Sequence, residues 1–196
     1  VVLWGFDPMV SWFGHVPYYM KLAQERGCKF ILIDPVYNVS AEALGAQWIP
    51  IRPGTDTAFG LAVAYVLYTE DLYDREYVAQ WVEPDGFEEW RKYVVGEVDG
   101  VAHTPEWAEP ITGIPAETIG AFARYYASMK PVHLQQMYGV SKRNLGDYAA
   151  AVAMLLQAMT GNLSIPGGCE GGGANLVTQP RLFAPCPTPA RSRATW

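Results

Sequence analysis

The chain has 196 residues, of which 50% are hydrophobic, 17% charged and 13% aromatic, with a formal net charge of −6. That length and apolar content suffice for one large buried core, or for one domain with part of another. The acidic balance argues against a nucleic-acid-binding role, which needs clustered Lys and Arg, and the longest apolar runs fall short of the roughly 18 to 20 residues of a membrane span.

Seven Trp and twelve Tyr imply extensive buried or interface surface, part of it facing chain outside this sequence. Cys28, Cys169 and Cys186 stand far apart, a spacing of isolated thiols and not of a disulfide framework or a CxxC metal site. The chain begins at Val1 inside a β-favouring run, with neither an initiator Met nor a basic signal region, so no compartment can be read.

Val1-Val2-Leu3-Trp4 is the first predicted strand and breaks at Gly5-Phe6-Asp7-Pro8. A helix follows from Pro17, with Val16, Tyr19, Met20 and Ala23 at helical spacing and Gly27 at its C-terminal cap. Lys29 to Ile33 is the second strand and ends at Asp34-Pro35. A short helix over Ser40 to Leu44 leads to a third strand, Gln47 to Ile51, in which Pro50 predicts an edge position or a short element. Pro53-Gly54-Thr55-Asp56 then forms a turn with a natural N-cap, and Phe59, Val63, Val66 and Leu67 mark a helix.

This alternation predicts an α/β fold: a Rossmann-like three-layer domain with a mostly parallel sheet and helices on both faces. Ligands of such sheets bind beyond the carboxyl ends of the strands, here the loops Gly5 to Pro8, Asp34 to Asn38 and Arg52 to Asp56. Helical additions follow from about residue 71: Asp74 to Trp81, Gly86 to Val95, and Pro115 to Ala127. Pro131 to Tyr138 reads as another strand, and Tyr148, Val152, Leu155, Leu156 and Met159 mark a long buried helix ending at Gly161-Asn162. The domain is expected to span 1–165; residues 166–196 form a Gly-rich, then Pro- and Arg-containing tail without a core of its own.

The loop after the first strand lacks G-x-G-x-x-G, so an ordinary nicotinamide-binding domain becomes a minor alternative. Asp34 ends the second strand where a carboxylate commonly accepts from ribose hydroxyls, although a loop-capping Asp before Pro35 explains it equally well. Asp56 has two readings as well: an N-cap, or an acceptor for two N–H groups on the Watson–Crick edge of guanine. His15 and His133, each a lone His beside aromatic and apolar residues, read as satisfied core groups and not as metal ligands.

In order and spacing, Gly5-Phe6-Asp7-Pro8, Ile33-Asp34-Pro35 and Trp48-Ile49-Pro50-Ile51-Arg52-Pro53-Gly54-Thr55-Asp56-Thr57-Ala58 resemble the dimethyl sulfoxide reductase family of molybdenum and tungsten enzymes. Leu72-Tyr73-Asp74, Gly113 to Ile119, Thr160-Gly161-Asn162 and Pro166-Gly167-Gly168 continue the likeness, which covers about residues 1–173. The resemblance implies a fragment of a large catalytic subunit that holds the guanosine diphosphate end of a molybdopterin guanine dinucleotide, in support of two-electron redox or oxygen-atom transfer.

By motif match, Gly5, Asp7 and Pro8 would line the phosphate side, Asp34 and Pro35 the ribose side, and Gly54, Thr55 and Asp56 the guanine. Asp7 departs from the family, where Asn is common; an anion there is tolerable only if it faces a hydroxyl, an N–H or a cation. Gly139, with Arg143 four residues on, resembles a glycine-containing stretch near the cofactor; Arg143 reads as a phosphate partner or as part of a solvated loop. No residue is assigned a catalytic or metal-ligating role.

The resemblance further implies partners: the remainder of the catalytic subunit and, in some relatives, an Fe–S electron-transfer subunit. Any Fe–S cluster of this subunit would lie in a preceding N-terminal part. Two other readings stay open. One is a non-redox family member, such as a hydratase or hydroxyltransferase; the other is a Rossmann-like nucleotide module or cofactor chaperone without catalysis.

Overall fold

The computed structural model describes residues 1–12 and 14–169. Four short parallel strands, β1 (Val2–Trp4), β2 (Ile31–Ile33), β3 (Gln47–Ile49) and β4 (Leu134–Gln136), pair in the order β3-β2-β1-β4. The edge position expected of the Pro50 strand is observed, and it ends at Ile49 because Pro50 has no N–H to continue the ladder.

Alternation along the strands builds two cores. Val2, Trp4, Ile31 and Ile33 point into one; Leu3 and Leu32 point into the other, with Phe6, Ala41 and Leu44. The thinner layer is α1 (Pro8–Ser11), α2 (Val16–Glu25) and α3 (Val39–Leu44). Gly27, at φ +92°, follows α2 as the sequence predicts, a conformation without penalty only for glycine.

The thicker layer holds α4 (Asp56–Thr69), α5 (Arg75–Trp81), α6 (Pro84–Val94), α7 (Pro105–Thr112), α8 (Ala116–Ser128), the single turn α9 (Tyr138–Ser141) and α10 (Gly146–Met159). Helices therefore cover both faces, as the alternation predicts. Asp74, whose side chain accepts from the Tyr77 N–H at 2.9 Å, caps α5. No helix among the described residues is long and apolar enough to cross a membrane.

The structure corrects three expectations. Helix α7 was not expected: its signal, Thr104 capping the Trp107 N–H ahead of Pro105, is obscured by Pro110 within the helix. Tyr148, in the first turn of α10, is exposed although Gly146 and Ala149 around it are buried, because it stands on the flank of the stripe that Ala149, Val152, Ala153 and Leu156 turn to the core. His15 is exposed at the start of α2 and is no core group. Cys169, buried at 5% exposure, accepts the Leu134 N–H through Sγ at 3.0 Å. The rest of the expected tail, 170–196, with Cys186, lies outside the described residues.

Candidate functional site

The carboxyl ends of β1, β2 and β4 and the N-terminus of α4 meet at one edge of the sheet. Gly5, Asp34, Pro35, Val36, Asp56, Gly139, Val140 and Arg143 line a cleft of about 230 Å³ there. A second cleft of about 620 Å³ shares Asp56, Val140 and Arg143 and continues past Gly54 and Thr55 to Trp107 and Tyr93. Of the residues singled out in the sequence, only Asp7 and Pro8 stand outside both linings.

Gly5 ends β1 at φ +59°, and its N–H donates to the Ile33 carbonyl at 2.8 Å. A Cβ on Gly5 would meet Val140 Cγ2 at 2.5 Å, and one on Gly139 would meet the Gly5 carbonyl oxygen at 2.8 Å. The two backbones thus pass each other with room for no side chain, which leaves main-chain groups to line the cleft. Pro8 is buried at the first turn of α1 and fixes the chain direction after the Gly5 loop.

Asp7 does not cap α1. Its Oδ1 accepts from Ser40 Oγ at 2.5 Å and from the Ser40 N–H at 3.2 Å, while Ser40 Oγ accepts from the Met9 N–H at 3.0 Å. The anion therefore faces a hydroxyl and an N–H, the condition that made an Asp tolerable here. Ser40, fully buried on α3, ties the Gly5 loop to the Asp34 loop; nothing in the sequence marked it.

Asp34 adopts the loop-capping role, with Oδ1 accepting from the Val36 N–H at 2.9 Å. Burial raises its pKa above the ordinary carboxylate range; the Val36 N–H opposes the shift, the charges of Asp7 and Asp56 add to it, and Arg143 offsets part. Folding therefore favours the protonated form: that stabilisation is complete below the ordinary pKa and is lost as pH rises through the folded value. Asp34→Asn is accordingly expected to raise the melting temperature at pH 7, with the gain vanishing in acid. An unchanged difference between variant and parent from pH 3 to pH 8 would refute this.

Asp56 is the first residue of α4, and Thr55 holds the N-cap position without a side-chain cap bond. The N-cap reading of Asp56 thus gives way to another. Asp56 is buried, at 5% exposure, and its Oδ1 accepts from the indole N–H of Trp4 at 2.8 Å. No protein donor reaches its second oxygen among the described residues. Gly54, at φ +83°, turns the chain into the helix, and Thr55 Oγ1 closes the turn onto the Arg52 carbonyl at 2.8 Å.

Arg52 donates to the Pro110 and Ile111 carbonyls at the end of α7, where a cation is favoured, so the unexpected helix braces this loop. Arg143 is exposed, donates to the Gly139 carbonyl and lines both clefts; among the described residues it is the only cation in either lining. Nothing in the sequence marks Trp4, Trp107 or Tyr93 as site residues: Trp4 meets Asp56 across 52 positions of chain, and Trp107 and Tyr93 join the second cleft's lining only in the folded domain.

An all-parallel sheet, covered on both faces and carrying its clefts at the strands' carboxyl ends, defines a Rossmann-like α/β three-layer domain. No family model matches the chain. It is 37% identical over 187 residues to the probable dimethyl sulfoxide reductase chain YnfF of Escherichia coli, covering 87% of this chain and 23% of that protein. It is 33% identical over 197 residues to the dimethyl sulfoxide/trimethylamine N-oxide reductase of Rhodobacter capsulatus, covering 93% and 24%. Acetylene hydratase from Pelobacter acetylenicus has a similar structure, with a TM-score of 0.67 and 30% identity over 83% of this chain and 21% of that one.

Over this stretch the chain belongs to the dimethyl sulfoxide reductase family. It spans 21–25% of the length of the curated relatives it matches.

Proposed function

We propose that the chain is the part of a molybdenum or tungsten oxidoreductase catalytic subunit that binds the guanosine diphosphate end of molybdopterin guanine dinucleotide, with residues 1–165 as the nucleotide-holding domain. One observation carries the reading: Gly5, Asp34, Asp56, Gly139 and Arg143, from four separate parts of the chain, line a single cleft at the sheet's carboxyl edge.

The residues present fit the group. Gly5 and Gly139 offer main chain where any Cβ would clash, as close approach to a diphosphate requires. Each of the three carboxylates accepts from its own chain, Asp7 from Ser40, Asp34 from Val36 and Asp56 from Trp4, which reduces their repulsion of phosphate. Arg143 supplies the positive charge, and Asp56 a buried acceptor for the base. When bound, the cofactor's metal carries the two-electron or oxygen-atom transfer; this chain binds and orients its nucleotide end.

Metal analysis of the full-length protein, together with identification of the nucleotide released on denaturation, tests the reading. Molybdenum or tungsten accompanied by a guanine nucleotide is expected; the absence of both overturns it. The likeness to acetylene hydratase favours a second reading, a family member that adds water without net redox change. Dye-linked reduction of an S-oxide or N-oxide by the full-length protein would decide for the reductase.

A further inference from the structure

Trp4 ends β1, is fully buried, and aims its only polar atom at the site. Its ring packs edge-to-face on Phe59, with centroids 5.3 Å apart and planes at 88°. On another side, a Cβ on Gly60 would approach its Cη2 to 3.3 Å. An indole confined in this way cannot swing, so its N–H is a fixed donor. The carboxyl torsion of an aspartate is otherwise broad and roughly two-fold. The 2.8 Å bond to Oδ1 pins it.

We propose that Trp4 is a positioning residue that sets the base selectivity of the site by fixing the plane of the Asp56 carboxylate. The inference rests on the guanine reading of Asp56. Guanine presents two parallel N–H donors, N1–H and the exocyclic amine, and accepting both requires the carboxylate to lie in the base plane. Oδ1 keeps a second lone-pair site beside its bond to Trp4, so the anchored group still offers both oxygens. Hypoxanthine has N1–H but no amine. The preference for guanine over hypoxanthine therefore measures how well the carboxylate is held.

The test is calorimetric titration of the full-length, cofactor-free protein with GDP and IDP, with melting temperature read separately. Trp4→Phe keeps an aromatic ring against Phe59 and removes the N–H; the GDP/IDP affinity ratio is expected to fall about tenfold, the effect of losing one hydrogen bond to a charged group. If that variant does not fold, replacing Trp4 by β-(3-benzothienyl)alanine, of the same shape without the N–H, is read in the same way. A purely structural Trp4 would lower stability and both affinities together; an unchanged ratio therefore overturns the proposal. A parent protein without guanine preference overturns the guanine reading and this inference with it, whereas a parent with the preference and a variant that retains it overturns this inference alone.

Discussion

Asp56→Asn is expected to weaken GDP binding by about a hundredfold and to make xanthosine diphosphate the better ligand, two charge-assisted hydrogen bonds being at stake. The asparagine oxygen can still accept from Trp4, so the buried indole N–H keeps its partner and the core is undisturbed. The amide nitrogen then faces the cleft as a donor. It repels the N–H edge of guanine but suits xanthine, which has a carbonyl where guanine has its amine.

Alanine is the poorer probe, because it strands the Trp4 N–H at a cost of about 1–3 kcal/mol and mixes a stability loss with the binding loss. Titration of cofactor-free protein with GDP, ADP and XDP separates the possibilities. An equal loss of GDP and ADP would show that Asp56 does not read the base. Unaltered GDP affinity would remove it from the site.

The second large effect concerns the crossing of α4 and α10 that supports the site. A Cβ on Gly60 would stand 2.3 Å from Val152 Cγ1, and both residues are buried. In an exposed helix Gly→Ala gains up to about 1 kcal/mol. Here the clash reverses the sign. Gly60→Ala is expected to cost about 1–3 kcal/mol, the range for overpacking a well-filled core, read as a lower urea midpoint. Adding Val152→Ala removes the methyl that collides, so the double variant should recover part of the loss despite the cavity it leaves. Strict additivity of the two substitutions would disprove the contact as the cause. Because Trp4 also borders Gly60, the single variant presses on the residue that holds Asp56.

Much of the fold was legible because the signals are local. Strands β1 and β2 read as short apolar runs that stop at Gly5 and Asp34, and α4 reads from its spacing of Phe59, Val63, Val66 and Leu67. Helix α7 was hidden by Pro110, whose missing N–H argues against a helix in a single-sequence reading. Tyr148 was misplaced because the spacing through Leu155 set the expected stripe to one side of the face that Ala149, Val152, Ala153 and Leu156 bury.

By itself the sequence determined the α/β class, the strand-end positions of Asp7, Asp34 and Asp56, and the family, since strand length, turn chemistry and motif spacing are written in neighbouring residues. Only the tertiary structure decided what each carboxylate does. It sets Asp7 on Ser40, turns Asp34 onto Val36 and fixes Asp56 on Trp4. The Asp7 and Asp56 partners lie 33 and 52 residues away, brought near by the parallel sheet and its crossovers, so no local pattern records them.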